Sequence, residues 1–547
     1  MNHLYFGDNL KVLRESIQDE SIDLIYLDPP FNSKANYNIL FKSPKGHDSD
    51  AQISAFDDTW HWGEQAEREY KEILHQGNTN VAEMMESLRR FLGENDMMAY
   101  LTMMANRLLE LHRVLKPTGS IYLHCDPTAS HYLKIVLDGV FGVRNFKNEI
   151  TWKRKTGRGE TNLKSNRFGI TTDIILFYSK TDKNLFNSQF NSNAAGYQEY
   201  IDKFFRHIDE KGRRFRIDNL ASPSPRPNLI YEYKGYPPPE KGWAISKDKM
   251  EQWDNEGRLY FPKNKSGRIQ RKRYLDELKG KPVQNLWDDI EMISSHSAER
   301  LGYPTQKPVS LLERIIQASS NEDDTVLDPF CGCGTTVHAA QKLNRQWVGI
   351  DITHLAISLI EKRLNDSFPG IKYEVHGTPK DIGGAKDLAE RDKYQFQWWA
   401  CSLVNAQPYQ GKKKGADGGI DGLIYFLDDK GKHKKIIVSV KGGSNVGVSM
   451  IRDLKAVVER EKAEIGLFVT LADPTQPMNT EALKAGYYTS PATKTDFNKI
   501  QILTIEGLLN GTQRADFPSE KSFGSHTFKK AKKEEQQTQE QLSFEDT

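Results

Sequence analysis

Residues 301–380 alternate apolar runs of strand length with amphipathic runs of helical length, and this alternation constrains the fold more than any other feature. The strand runs are TVLDPF and QWVGIDI, and the helical runs are VSLLERIIQASS, TTVHAAQKLN and LAISLIEKRLN. A comparable buried strand, LIYL at 24–27, stands near the start of the chain. Strands that alternate with helices predict a mostly parallel sheet with covered faces. The sequence therefore predicts an α/β fold of the doubly wound type.

The length and the composition limit what else the chain contains. At roughly 150 residues per domain, a chain of 547 residues predicts three or four domains. No apolar run approaches the ~18–20 residues of a membrane span. The opening MNHLYFGDNL lacks the regions of a secretory signal, so we expect a cytoplasmic protein with no membrane partner. Four cysteines and a net charge of +2 exclude a disulfide framework and a histone-like polycation, and the lack of a CxxC pair argues against structural zinc.

The strand TVLDPF leads into a loop, CGCGTT, that precedes a helix. Gly332 and Gly334 allow a tight turn and a close approach to a ligand. Asp351 ends the next strand, 23 residues after Asp328, where an acid can accept hydrogen bonds from ribose hydroxyls. Dinucleotide binding is disfavoured, because Val337 replaces the third glycine of that fingerprint and Asp328 would repel a pyrophosphate. A ligand with a cationic amine and no phosphates, such as S-adenosylmethionine, suits this loop, and a simple strand-to-helix turn is the alternative.

The tetrapeptide Asp28-Pro29-Pro30-Phe31 follows the strand at 24–27. Prolines lack N–H groups, so nearby carbonyls stay available as acceptors. Asp28 and the Pro29 carbonyl could both accept hydrogen bonds from one exocyclic amine, while Phe31 stacks on the ring that carries it. This arrangement would hold a base flipped out of a duplex; a Pro-Pro turn with Asp28 as a cap is the alternative. Because doubly wound sheets bind ligands at strand ends, we expect both motifs to face one cleft.

Together these residues resemble the amino-methyltransferases of DNA, in the permuted β-class order where the catalytic motif precedes the cofactor motif. The resemblance covers residues 1–380 and implies a methyltransferase that uses S-adenosylmethionine. It implies catalytic roles for Asp28, Pro29, Pro30 and Phe31. The cofactor-binding residues that it implies are Asp8, Thr305, Gln306, Lys307, Asp328, Phe330, Gly332, Gly334, Thr335 and Asp351. In this family, Asp rather than Ser at the first catalytic position favours N6 of adenine over N4 of cytosine.

The resemblance also places a target recognition region at 191–300, between a catalytic part at 1–190 and a cofactor-binding part at 301–380. The segment combines basic and aromatic residues, as in KGRRFRIDN and KNKSGRIQRKRY. Such clusters are typical of double-stranded DNA contact, although a solvated charged surface is the alternative for any single residue. The side chains predicted to reach phosphates or guanine edges are Arg213, Arg214, Arg216, Arg268, Arg271, Lys272 and Arg273.

TPKDIGGAK at 378–386 is predicted to be a linker to a second, smaller α/β domain at 385–515. That domain resembles the Mrr-like group of restriction-endonuclease folds. The remaining residues, 516–547, form a polar tail that we predict to be disordered.

The Mrr-like resemblance rests on Asp421 before one strand and Lys441 on the next, 20 residues apart, with Ser439 two before the lysine. In that group the acid and the middle residue bind Mg²⁺, and the lysine helps to activate water. Ser439 replaces Glu or Gln, and a hydroxyl is a poorer ligand for a hard cation. Gln397 and Asp417 are the residues expected to compensate. A degenerate nuclease fold kept for DNA binding is the alternative to a Mg²⁺ site at Asp421.

The sequence thus predicts an adenine-N6 DNA methyltransferase with a fused nuclease-like domain, in a restriction-modification context. This context implies either a homodimer or association with a restriction subunit. Two further functions stay open: cytosine-N4 methylation, and a nuclease or DNA-binding protein whose methyltransferase half only senses S-adenosylmethionine.

Overall fold

The computed structural model describes residues 1–30, 36–42, 48–57, 61–155, 168–192, 196–294, 297, 299–301, 303, 305–409, 418–429, 432–518, 527 and 531–534. It gives the backbone alone for 36–42, 48–57, 429 and 432. The chain divides into two units, residues 188–284 and the remainder. Phe31 and Asp417 lie outside the described residues. The domain boundaries of the sequence analysis stay predictions.

The elements of the first part are β1 (Asn2–Phe6), α1 (Asn9–Ser16), β2 (Ile22–Leu27), β3 (Asn36–Lys42), β4 (Asp48–Asp57), α2 (Glu64–His75), α3 (Thr79–Leu92), α4 (Asp96–Val114), β5 (Leu115–Cys125), α5 (Ser130–Phe141), β6 (Phe146–Lys153) and β7 (Thr172–Ser179). The smaller unit contains β8 (Phe190–Asn191), α6 (Tyr197–Phe204), β9 (His207–Ile208), β10 (Arg214–Asn219), α7 (Lys247–Asn255), β11 (Leu259–Tyr260), β12 (Gln270–Tyr274) and β13 (Lys281–Pro282).

The chain then forms β14 (Leu286–Trp287), α8 (Val309–Ser319), β15 (Thr325–Asp328), α9 (Thr335–Lys342), β16 (Gln346–Asp351), α10 (His354–Ser367) and β17 (Tyr373–His376). The C-terminal part contains α11 (Ile382–Arg391), α12 (Lys393–Leu403), β18 (Gln407–Pro408), β19 (Gly422–Asp429), β20 (Lys432–Lys441), α13 (Val448–Arg460), β21 (Ile465–Thr470), α14 (Gln476–Leu483), β22 (Tyr487–Thr489), β23 (Asp496–Asn498), β24 (Ile500–Thr504) and α15 (Ile505–Leu509).

Nine strands form one sheet in the order β14-β6-β7-β5-β2-β15-β16-β1-β17. Every neighbouring pair is parallel except the pairs that β7 makes with β5 and β6. Leu24 of β2 lies opposite Val326 of β15, although these strands are far apart in sequence. This sheet confirms the predicted doubly wound α/β fold in its permuted order.

The apolar runs explain why these segments occupy the core. Leu24, Ile25 and Leu27 of β2 are fully buried, as expected for a strand covered on both faces. The methionine-rich helix α4 buries residues around its whole circumference, including Met98 and Met104. None of the helices in the described ranges combines the length and the hydrophobicity that crossing a membrane requires.

The smaller unit contains a sheet of four short antiparallel strands in the order β11-β12-β10-β9. Its own apolar cluster includes Trp243, Met250 and Ile269, all fully buried. A two-stranded pairing of β13 with β8 joins the residues where the chain enters and leaves this unit.

The C-terminal domain is built on five strands in the order β18-β19-β20-β21-β24, antiparallel up to β20 and parallel beyond it. The tail was predicted to be disordered, and this prediction is wrong for the tail residues that the structure describes. Thr527 is buried, and its hydroxyl accepts a hydrogen bond from the Tyr425 N–H at 3.1 Å. Glu534 forms an ion pair with Lys342 at 3.5 Å. These contacts hold the described tail residues against the folded chain.

Candidate active site

Four neighbouring strands of the large sheet end around one cavity of about 280 Å³. β1, β2, β15 and β16 deliver residues 7–9, 28–30, 328–333 and 351–353 to its wall, and residues 303 and 305–307 are among the others that line it. The carboxyl ends of parallel strands meet at one edge of a sheet, which is where doubly wound folds bind ligands. Both acid-containing turns therefore line the same cavity.

Asp328 ends β15 and is only 3% exposed. One of its carboxylate oxygens accepts a hydrogen bond from the Phe330 N–H at 3.0 Å, and the other accepts one from the Thr336 hydroxyl at 2.5 Å. Burial nevertheless raises the pKa of Asp328 to about 7, because a dry environment disfavours the charge. A cationic ligand group would favour the ionised form. Phe330 and Thr335 line the cavity beside it.

Two glycines shape the loop between β15 and α9. Gly332 and Gly334 have φ angles of 49° and 74°, in the left-handed region that glycine favours. A Cβ on Gly334 would lie 2.7 Å from Cγ1 of Ile360, and one on Gly332 would lie 3.2 Å from the ring of Tyr303. Both the backbone conformation and the space therefore call for glycine.

Asp351 ends β16 on the other side of this loop. Its Oδ2 accepts a hydrogen bond from the Gly332 N–H at 2.9 Å. Its Oδ1 accepts bonds from the Thr353 N–H at 2.9 Å and the Thr353 hydroxyl at 2.8 Å. Burial raises the pKa of Asp351 to about 6. The next side chain, Ile352, is 59% exposed, so an apolar surface lies beside an acid.

Asp28 follows β2 directly and forms an ion pair with the Lys307 ammonium through Oδ2. Among the described residues, Asp28 Oδ1 is buried and has no hydrogen-bond partner. Buried polar atoms are nearly always paired, so this oxygen, which lacks a partner among the described residues, is available to accept a hydrogen bond from a ligand. Pro29 and Pro30 line the cavity next to it. The position of Phe31 is outside the described residues.

Residues 305–307 belong to the loop that precedes α8. Gln306 fastens this loop, because its side-chain carbonyl accepts the Leu301 N–H at 2.9 Å and its amide donates to the Glu299 carbonyl at 2.8 Å. Thr305 has a φ of 61°. Lys307, which was predicted to bind the cofactor, contacts Asp28 of the predicted catalytic motif in the structure.

Arg107 supports the cavity from α4 and is not among the residues that were predicted from the sequence. Arg107 is 6% exposed and pairs with Asp8 at 2.9 Å. Its Nε donates to the Asn9 side-chain oxygen at 2.6 Å, and the Asn9 amide donates to the Pro329 carbonyl at 2.8 Å. Asp8 also caps the start of α1 by accepting the Lys11 N–H. The sequence does contain one signal that could have identified this residue: Arg107 is a charged residue within an apolar helical run, and core packing alone does not explain a charge there.

Most of the arginines predicted to bind DNA form ion pairs with acidic residues of the same unit. Arg213 pairs with Asp276 at 2.7 Å and Arg214 pairs with Asp202 at 3.4 Å. Both remaining pairs use Asp218, whose partners are Arg216 and Arg273. Charges that are already matched contribute less to a phosphate contact.

Three basic residues of this unit are placed differently. The guanidinium of Arg271 lies over the Trp253 ring at 4.2 Å, and the Lys272 ammonium lies 5.4 Å from the Phe215 ring. Arg268 is exposed and forms no ion pair within the part of the chain that the structure describes. Arg268 is thus the predicted contact whose charge is most available.

The predicted nuclease residues gather at one end of β19 and β20. Asp421 is 7% exposed, and its Oδ2 accepts the Val440 N–H at 2.7 Å and lies 3.4 Å from the Ser439 hydroxyl. The Gln397 amide donates to Asp421 Oδ1 at 3.0 Å, and the Lys441 ammonium lies 4.0 Å from the carboxylate. Gln397 therefore contacts Asp421 as a hydrogen-bond donor, and its predicted role at a metal site stays a prediction.

Two family models match separate parts of the chain. A model described as DNA methylase matches residues 22–362, and one described as restriction endonuclease matches residues 388–489. The type II methyltransferase M.EcaI of Enterobacter cloacae is 34% identical over 267 residues, 48% of this chain and 57% of that protein. The Mod subunit of the type III restriction-modification enzyme StyLTI of Salmonella typhimurium is 29% identical over 354 residues, 62% of this chain and 50% of the subunit. The chain spans about half the length of these relatives.

Among solved structures, a DNA modification methylase from Thermus thermophilus, complexed with S-adenosyl-L-methionine, has a TM-score of 0.32 and 17% identity, covering 69% of this chain and 99% of that one. The DNA methylase model covers more than half of the present chain and includes both acid-containing turns of the cavity. On this match, the chain belongs to the DNA methylase family of N6 and N4 methyltransferases.

Proposed function

We propose that this protein transfers a methyl group from S-adenosylmethionine to the exocyclic N6 amine of adenine in double-stranded DNA. One observation carries the proposal: Asp28 Oδ1 is a buried acceptor without a partner among the described residues, in the cavity that Asp328 and Asp351 also line. Membership of the DNA methylase family supports the same chemistry.

The cavity residues fit S-adenosylmethionine, which supplies an activated methyl group on a sulfonium when bound. Asp351 is placed to accept hydrogen bonds from ribose hydroxyls, and the exposed face of Ile352 can cover an adenine ring. Asp328 suits the cationic amine of the methionine part. Gly332 lines the cavity and leaves room for the ligand, because a Cβ there would lie 3.2 Å from the Tyr303 ring. Gly334 is not among the lining residues, and the lack of a Cβ at this position makes room for Ile360.

The remaining predicted cofactor contacts are Asp8, Thr305, Gln306, Phe330 and Thr335, all of which line this cavity. Asp8 lies at the β1 end, where the ion pair with Arg107 orients its carboxylate. These assignments are part of the proposal.

The target amine would donate one hydrogen bond to Asp28 Oδ1 and another to the Pro29 carbonyl. Two acceptors favour a tetrahedral amine with an exposed lone pair, which attacks the methyl carbon in line. Bound S-adenosylmethionine would supply the methyl group and leave as a neutral thioether, and the proton of the methylated amine would pass to the Asp28 carboxylate or to water. Lys307 holds the other Asp28 oxygen, so the carboxylate is already oriented, and positioning supplies the catalysis. Phe31 would stack on the base.

The choice of adenine rests on Asp28, since the family resemblance associates Asp at this position with N6 methylation. Cytosine-N4 methylation is the nearest alternative. Nucleoside analysis of the methylated DNA separates the two, because N6-methyladenine is expected and N4-methylcytosine as the sole product would overturn the choice.

The test is transfer of labelled methyl to duplex DNA by Asp28→Ala and by a matched control, Asp23→Ala. Asp23 lies at the opposite end of the same strand and pairs with Lys116 at 2.8 Å, as Asp28 pairs with Lys307. We expect Asp28→Ala to lose at least ~10³-fold in rate (about 4 kcal/mol) while it still binds S-adenosylmethionine, and Asp23→Ala to transfer methyl. Full transfer by Asp28→Ala would refute the proposed mechanism. Binding of S-adenosylmethionine by the wild-type chain without any methyl transfer would favour a domain that only senses the ligand.

We further propose that residues 188–284 bind the target DNA, with Arg268, Arg271 and Lys272 as phosphate or base contacts. This proposal is supported by the exposure of Arg268 and by the location of this unit as an insertion in the methylase region. Arg213, Arg214 and Arg273 would need to exchange their present ion pairs for phosphates. The recognition sequence follows from mapping methylated positions in DNA of cells that express the chain.

For the C-terminal domain we propose DNA binding without efficient cleavage. Mg²⁺ is held by several oxygen ligands, but the described residues provide no group of three metal-ligating side chains here. Both oxygens of Asp421 already accept hydrogen bonds. Among the residues that the structure describes, the donor set around Asp421 therefore does not fit Mg²⁺. Mg²⁺-dependent cutting that Asp421→Ala abolishes would overturn this proposal.

We also propose that the chain acts within a restriction-modification system, since one of its relatives is the Mod subunit of the restriction-modification enzyme StyLTI. A restriction subunit or a second copy of this chain would then complete the assembly. Light scattering of the purified chain measures the second possibility directly: a mass near twice 62.6 kDa would support a dimer, and a mass near 62.6 kDa would refute it.

A further inference from the structure

A second cluster of chemically active side chains lies at the edge of the large sheet, outside the cavity. β1 and the edge strand β17 pair in parallel, with His3 opposite Glu374 and Tyr5 opposite His376. Alternate residues of a strand share a face, so His3, Glu374 and His376 project from the same side. None of the three lines the cavity described above.

The ligand atoms of these three side chains are arranged as a metal ion would require. His3 Nδ1 lies 3.0 Å from His376 Nε2 and 3.7 Å from Glu374 Oε2, and the latter two atoms are 3.5 Å apart. In a tetrahedral zinc site with bonds of about 2.0–2.2 Å, neighbouring ligand atoms are about 3.3–3.6 Å apart. The three observed distances between ligand atoms, 3.0 to 3.7 Å, span this range. Small rotations of the side chains would therefore let an ion bind between them.

The chemistry of the donors selects the class of metal. Two imidazoles and one carboxylate suit Zn²⁺ and similar borderline ions, whereas Mg²⁺ and Ca²⁺ prefer oxygen ligands alone. The His376 ring stacks on Tyr5 with 4.5 Å between centroids, which restrains its orientation. The side chains are 29%, 51% and 33% exposed for His3, Glu374 and His376, so a water molecule can take a fourth position.

We propose that His3, Glu374 and His376 form a three-ligand binding site for Zn²⁺ or a similar transition-metal ion. The absence of a CxxC pair argues only against cysteine-based zinc, and this site uses no cysteine. A bound ion would join the first strand of the chain to the last strand of the sheet. Because β1 continues into Gly7 and Asp8 of the cavity wall, the ion would stabilise the frame of the active site without entering it.

The test uses the full chain without a polyhistidine tag, stripped of metal by a chelator. Zn²⁺ is then titrated in competition with a chromophoric chelator, and Co²⁺ is used as a spectroscopic probe. We expect one Zn²⁺ per chain, a higher unfolding temperature with Zn²⁺, and the strong visible absorption of four-coordinate Co²⁺.

His376→Gln and Glu374→Gln remove one ligand each and keep a side chain of similar polarity. We expect Zn²⁺ affinity to fall by at least ~100-fold, because losing even a group that only orients a ligand costs about 10–100-fold. The matched control is His61→Gln, which breaks another exposed histidine–carboxylate pair, with Asp96 at 3.1 Å. Unchanged affinity in both site variants, or equal loss in the control, would overturn the proposal, as would the absence of Zn²⁺ binding.

Discussion

Replacing Asp328 with asparagine is expected to stabilise the methyltransferase part of the chain and to weaken its binding of S-adenosylmethionine. Asn has nearly the same shape, and its carbonyl can accept the Phe330 N–H while its amide donates to the Thr336 hydroxyl. The substitution therefore removes the charge and keeps both contacts.

The size of the stabilisation follows from the pKa, which burial raises from 3.8 to about 7. At 1.36 kcal/mol per unit, ionising this buried carboxyl costs about 4 kcal/mol. A raised pKa in the folded state means that folded chains hold the proton when unfolded chains have lost it. The cost is therefore absent below pH ~4, grows between pH ~4 and ~7, and is complete above pH ~7.

The assay is urea unfolding of wild type and Asp328→Asn without ligand, followed by hydrogen exchange of peptides that cover β15 and β16. The stability advantage of the variant should be about 3 kcal/mol larger at pH 8 than at pH 5, since most of the ionisation cost develops between these values. An equal difference at both pH values, or a less stable variant at pH 8, would refute the reasoning.

Binding of S-adenosylmethionine should change in the opposite sense. A hydrogen bond to a charged group contributes about 1.5–3 kcal/mol, so the variant should bind roughly 10–100-fold more weakly at pH 8. The gap should narrow at pH 6, where Asp328 is largely protonated. Titration of Asp351 and of the ligand amine is common to both proteins and cancels in the comparison. If the difference in affinity between the two proteins does not depend on pH, the Asp328 carboxylate does not interact with the charged amine of the ligand.

Three further substitutions, two of them paired with a control variant, test other parts of the structure. Gly334→Ala should lower stability by about 1–3 kcal/mol in thermal unfolding, because its Cβ would lie 2.7 Å from a side-chain atom, whereas Gly370→Ala shares the positive φ but has open space and should lose less. Arg268→Ala should reduce the salt dependence of DNA affinity by about one phosphate contact, and Arg213→Ala, whose charge is already paired, should reduce it less. Ser439→Glu should raise Mg²⁺-dependent cleavage at least ~10-fold by adding a carboxylate ligand, and no gain would argue that the domain lacks the remaining geometry.

The strand-to-helix turns could be predicted from the sequence because the residues that indicate them are neighbours in the chain. The apolar run of β2 and its acid, or the glycine loop after Asp328, can be read within a dozen residues. The pairing of Asp28 with Lys307 could not be predicted in this way, because it depends on β2 and β15 being neighbours in the sheet. The contact of Arg107 with the cavity could not be predicted for a related reason. Helical periodicity identifies a buried face of a helix but does not show which cavity lies beside that face.

The order of the strands shows where in the sheet the chain leaves for the inserted unit and returns from it. The strands that carry it, β2, β15, β16 and β1, lie side by side, while residues 188–284 interrupt the chain between β7 and β14. β14 is at the opposite edge of the sheet from β17. The chain thus enters and leaves residues 188–284 through strands other than the four whose ends line the cavity.

The connection to the C-terminal domain differs from the predicted linker, because α11 begins at Ile382, inside that segment. The helix that follows, α12, contacts both functional regions. Gln395 accepts the N–H of His354, the first residue of α10, at 3.0 Å, and Gln397 donates to Asp421. Residues two apart on a helix point in different directions, so one rigid helix can touch the cofactor side and the nuclease-like side together. The nuclease-like domain is thus packed against the methylase region, and substitutions in α12 should disturb both.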